Sequence, residues 1–140
     1  MDTREYFNYV VVPNYNEFVR RPTDFHLLWN ALVSMNTVAE HLGLYQRGYG
    51  QVSRNELYRE AQEIRGQLSG VEDLKFCADT LKHVRKIQDQ GGGKFTTIAT
   101  STGVDPTDPT TWKVGGHDLG KVAHDAFATL DNLPELKSAP

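Results

Sequence analysis

The sequence predicts a mainly α fold: a four-helix-bundle-like domain with a short N-terminal strand or arm and a small β-hairpin or ordered loop inserted before the last helix. Three observations predict it. Apolar residues recur at three- and four-residue steps in four separate stretches. The second and third stretches are joined by a link so short that antiparallel neighbours are favoured. Only the segment 90–116 changes character, to glycine, threonine and Asp-Pro pairs. The 140 residues fit a single helical domain, 1–140, with 1–21 as its arm and 90–116 as its insertion.

Taken in order, Tyr6 to Val12 are aromatic and β-branched and stop at Pro13-Asn14, which reads as an edge strand or extended arm. Pro22, Thr23 and Asp24 open the first long helix. Its stripe is Phe25, Leu28, Trp29, Leu32, Met35, Ala39 and Leu42, with Gly43 as a C-terminal stop. Ser53-Arg54-Asn55-Glu56 is a capping box before Leu57, Ala61, Ile64 and Leu68, and Gly70 ends that helix. The third helix carries Val71, Leu74, Cys77, Ala78, Leu81 and Val84 on one face. Gly91-Gly92-Gly93 breaks it. Phe95 to Thr100 and Thr111 to Val114 are strand-like, with turns at Asp105-Pro106 and Asp108-Pro109. The last helix has Leu119, Val122, Ala123, Ala126, Phe127 and Leu130 in register, and Pro134 closes it.

Composition narrows the function. Lys and Arg number 15 against 18 Asp and Glu, a net charge of −3, so no broad cationic field for sequence-blind binding to nucleic acid is implied. Apolar residues make up 39%, enough for one core, and no uninterrupted run approaches the roughly 20 residues of a membrane span. The first residues, MDTREYFNYVVV, do not read as a signal peptide. A single cysteine, Cys77, excludes an internal disulfide and a multi-cysteine zinc site, and its place on an apolar face makes it a core thiol. The expectation is a cytoplasmic protein without a membrane partner.

Two constellations carry chemistry. On the third helix, Asp79, Lys82 and His83 share one side with Glu72, Lys75 and Lys86, opposite the leucine stripe. A carboxylate four residues before a histidine fixes the imidazole tautomer, and a neighbouring ammonium stabilises a phosphate or oxyanion. The ordinary reading of the same pattern is a solvated face of local ion pairs. Arg85 enters the apolar stripe of that helix and needs water, an acid or an interface. The second constellation is Arg21 and His26, separated by a helix start at which anions are favoured; the ordinary reading there is Asp24 complementing the dipole and His26 at the surface. A metal set drawn from Glu40, His41, His83, His117 and His124 lacks the Glu-x-x-His pattern of bundle metal sites, and the expectation is no metal and no cofactor. Gly91-Gly92-Gly93-Lys94 follows a helix rather than a strand and is not a phosphate loop.

Phe18 followed by Arg21-Pro22-Thr23-Asp24, then Asn30-Ala31, then Asp79-Thr80-Leu81-Lys82-His83 with Arg85 after it, resembles small bacterial helical-bundle proteins of the HEPN superfamily, over Phe18 to Ile87. That resemblance implies a helical bundle, commonly dimeric, and metal-independent ribonuclease activity in many members or a binding role in others. The superfamily's usual motif is Arg-x(4–6)-His on a late helix. Here the close Arg-x4-His is Arg21 to His26, on the first long helix. Three functions follow as expectations: an interaction or ligand-binding module, homodimeric or with another protein partner; a ribonuclease using His83 as general acid and base, Asp79 as its orienter and Lys82 or Arg85 on the phosphate, with RNA as partner; and a structural subunit of a larger phage or defence assembly.

Overall fold

Leu28, Ala31, Leu32 and Met35 are fully buried, and their spacing makes the helix that carries them, α3 (Phe25–Asn36), the centre of the fold. The computed structural model describes residues 1–82, 88–89, 95–96 and 103–137. Around α3 lie α1 (Thr3–Tyr6), a π-helical segment (Phe7–Val11), α2 (Val12–Arg20), α4 (Val38–Gln46), α5 (Arg54–Gln67), α6 (Val71–Lys82) and α7 (Leu119–Asp131). Helices α2, α6 and α7 pack on α3, α4 packs on α5, and α6 packs on α7. The mainly α architecture is as the periodicity predicts. Among the described residues, no helix is long and apolar enough to cross a membrane.

The N-terminal segment corrects the expectation of a strand or arm: residues Thr3 to Arg20 are helical throughout. Asp2 caps the start, its carboxylate accepting from Glu5 N at 2.8 Å while the Glu5 carboxylate accepts from Asp2 N at 2.9 Å. Phe7, Val11 and Phe18 are buried, a spacing of four and seven residues that only a helix turns to one side. The β-branched run Val10 to Val12 is real, but tertiary burial overrides its strand preference. Pro13 is accommodated because the wider π turn precedes it, and the Asn14 side-chain amide donates to Val10 O at 2.8 Å.

The first long helix also departs from its expected bounds. It breaks at Thr37 and resumes as α4, which runs through Gly43 to Gln46. Gly43 is buried because α5 crosses there; a Cβ on it would lie 3.1 Å from Leu57 Cδ1. The break frees the Asn36 carbonyl, and Arg65 of α5 takes it. Arg65 is 2% exposed; its Nη2 donates to Asn36 O at 3.0 Å and to both Glu40 oxygens at 3.1 Å, and its Nη1 to Gln62 Oε1 at 2.9 Å. Arg65 Nε and Asn36 Oδ1 are buried without partners among the described residues. Ser53 caps α5, accepting from Glu56 N at 3.2 Å, but the return bond of the expected capping box is not made and the Glu56 carboxylate lies 3.5 Å from Arg47 instead.

The small β element before the last helix is present: Phe95–Thr96 and Lys113–Val114 fall within the predicted strand-like stretches, but each pairs with a neighbouring segment rather than with the other. Strands β1 (Gln88–Asp89) and β2 (Phe95–Thr96) pair with each other; β3 (Lys113–Val114) pairs antiparallel with β4 (His117–Asp118). Gly115 and Gly116, at φ 55° and 83°, form the two-residue turn between β3 and β4 that only left-handed residues allow. Upstream, Asp105 and Asp108 each fold over the threonine two residues on, as their Asp-Pro pairs predict. Trp112 is buried and its indole N–H donates to Asp105 O at 2.8 Å. Cys77 is buried as expected, and burial, with the Asp73 charge adding, pushes its thiol up to about 11.

Candidate functional site

The turn between α2 and α3 is dictated by Pro22, which forces Arg21 off helical geometry and ends α2. Asp24 then caps α3, accepting from His26 N at 3.0 Å. This sharp reversal holds Arg20, Arg21 and His26 at the surface beside Phe25 and Trp29. Together with Pro106 from across the fold they line an open cleft of about 1000 Å³. Phe25 sits edge-on to Trp112, with ring centroids 5.3 Å apart, and Trp112 in turn anchors the Asp105 loop that carries Pro106. The far wall is thus fixed to the same aromatic stack as the near one.

The cations of the cleft are tethered but exposed. Arg20 Nη2 meets the Glu17 carboxylate at 2.5 and 2.6 Å, and Arg21 Nη2 lies 3.5 Å from Asp24 Oδ2. Exposed pairs of this kind contribute about 0–1 kcal/mol, so a multiply charged anion competes for these guanidiniums at little cost. His26 Nε2 lies 3.4 Å from Asn30 Nδ2, which donates to it when that nitrogen is unprotonated. The arrangement offers two guanidiniums and an imidazole beside an indole ring: charge for a phosphate and a flat face for a ring.

The structure therefore brings Arg21 and His26 together in one cleft. Sequence reasoning assigned Asp24 correctly as a helix-start residue but missed Arg20, Phe25, Trp29 and Pro106. The Phe25/Trp29 spacing of four was read as core stripe, although both are only partly buried.

The second constellation is described only in part. Asp79 on α6 forms an ion pair with Lys75, one turn before it. Burial lowers the Lys75 ammonium, but the Asp79 contact and the Tyr58 hydroxyl outweigh this and leave it raised. The Lys82 side chain, His83 and Arg85 lie outside the described residues, as do Lys86 and Gly91 to Lys94. The other histidines sit apart. His41 stacks on Tyr6 at 4.2 Å, His117 lies 3.9 Å from Asp73, and His124 Nδ1 is 2.6 Å from the Tyr15 hydroxyl, while Glu40 holds Arg65. Among the described residues no three His, Cys, Asp or Glu side chains converge as metal ligands would. Compared with protein-family models, curated proteins and solved structures, the chain matches none.

Proposed function

We propose that this protein is a helical ligand-binding module that takes a phosphorylated, ring-bearing ligand of the nucleotide class in the α2–α3 cleft. The observation that supports it is the meeting of Arg21 and His26 with Trp29 in one opening. The phosphate pairs with Arg20 and Arg21, the imidazole of His26 adds a donor, and the ring lies on Trp29. A homodimer or other protein partner belongs to the same reading; the exposed Tyr9 and Val19 on the N-terminal helical run supply apolar surface for it. Sedimentation as a monomer at every concentration overturns that part.

The site is tested by titrating the protein with adenosine 5′-monophosphate and with adenosine, following indole fluorescence. Trp29→Phe assigns the signal. Saturable quenching by the nucleotide, at least roughly tenfold tighter than adenosine and lost in Arg21→Gln, is the expected result. Equal binding of both, or an unaffected Arg21→Gln, overturns it. A second arm uses single-stranded RNA in EDTA. Cleavage lost in His83→Ala but kept in His26→Ala moves the function to a HEPN-like ribonuclease built on Asp79, Lys82, His83 and Arg85.

A further inference from the structure

We propose a second binding site, for a small organic cation with an apolar body, in the cavity where α4, α5 and the segment after α7 meet. The cavity measures about 130 Å³, and Leu42, Tyr45, Ile64, Leu68, Leu133 and Glu135 are among its lining residues. Leu42 and Ile64 are buried, and Leu68 and Leu133 pack against the core, so the floor is aliphatic. An aliphatic cavity of about 150 Å³ accommodates benzene, so this one takes a body of about six carbons.

The rim selects the sign of charge. Helix α4 ends at Gln46 and α5 at Gln67, so both present their C-terminal ends here. Each such end acts as roughly half a negative charge. Glu135 adds a full one and has no ion-pair partner among the described residues. Two nearby arginines are engaged elsewhere, Arg47 with Glu56 and Glu60 and Arg65 with Glu40. Tyr45, 44% exposed, offers an aromatic face to an ammonium. A greasy floor under a negative rim fits an alkyl- or arylammonium and rejects a carboxylate of the same shape.

Benzylammonium, benzyl alcohol and benzoate share one body and differ in charge, and they serve as probes. Two-dimensional amide NMR on the full chain reads binding residue by residue. Benzylammonium shifts the Leu68 and Leu133 amides with saturation in the millimolar range, as about eight heavy atoms allow. Benzyl alcohol binds about two- to fivefold more weakly, and benzoate does not saturate. Glu135→Gln, at an exposed position, keeps the spectrum folded and removes most of the advantage of the amine over the alcohol. Amine and alcohol binding equally, an unchanged preference in Glu135→Gln, or no saturable shift at the cavity overturns the proposal.

Discussion

Replacing Glu40 by Gln should cost about 2 kcal/mol, and the structure sets that figure. Removing the partner of a fully buried ion costs roughly 3–5 kcal/mol. Two features reduce the cost here. Glu40 is itself 35% exposed, so water reaches the vacated position. Arg65 also keeps its bonds to Asn36 O and Gln62 Oε1. What is lost is the charge on one acceptor of a charge-assisted hydrogen bond, worth about 1.5–3 kcal/mol. With a urea m-value of roughly 2 kcal/mol/M, the unfolding midpoint falls by about 1 M. The same substitution made in an Arg65→Met background should add less than about 0.5 kcal/mol, because the buried charge is already gone. A midpoint that moves by less than about 0.25 M in the single variant would falsify the claim that Arg65 depends on Glu40. It would place the pair with exposed ion pairs of negligible worth.

Three further outcomes are expected. Gly70 has φ +82°, and an added Cβ would lie 3.3–3.5 Å from atoms of Asp125 and Ala126; Gly70→Ala should lower Tm by roughly 5 °C, from about 1–2 kcal/mol of left-handed strain. Gly48→Ala, with nothing within 4 Å, should cost less, and an equal or greater loss contradicts the contact argument. Burial holds His41 below its ordinary value, against the raising effect of Glu40 and with the N-terminal charge helping. Because the unfolded chain binds the proton more readily, stability from this group is full above about pH 6.5 and is lost as pH falls through the lower folded value. His41→Gln should therefore flatten the urea midpoint between pH 7 and 5, and an unchanged slope rejects the assignment. Cys77, buried and raised to about 11, should resist iodoacetamide at pH 8 in the native protein and react once urea unfolds it; labelling at native rates of exposed thiols refutes its burial.

Much of the helical framework was legible because burial repeats with the helical period. Leu28, Leu32 and Met35, then Leu74 and Cys77, then Leu119, Val122 and Ala126 announce α3, α6 and α7 directly. The N-terminal helix was misread because Tyr9 to Val12 have strand propensities, while the signal that decides the matter, Phe7 to Val11 to Phe18, spans an interruption by Pro13. Gly43 misled for the opposite reason: glycine ends a helix when its conformation is needed and continues one when its missing side chain is needed. Of the cleft, Arg21 and His26 were visible as a polar pair around a helix start. Trp29 was hidden in the apolar stripe, and Pro106 is tied to the site through the buried Trp112, a contact no local spacing encodes.

Thr3 is buried between the His41 carbonyl, to which it donates at 2.9 Å, and the Tyr49 hydroxyl at the same distance, while α1 also rests on the turn Pro134–Leu136. The earlier-made of these two segments therefore finishes its packing against one synthesised much later. At about 5–20 residues per second, Phe7 and Val11 wait on the order of ten seconds on the ribosome without their full cover. An early amphipathic helix with an uncovered apolar face is a natural substrate for a nascent-chain chaperone. Mutations that weaken the Thr3 clasp are thus expected to lower the yield of folded protein in cells more than they lower the stability of the finished molecule.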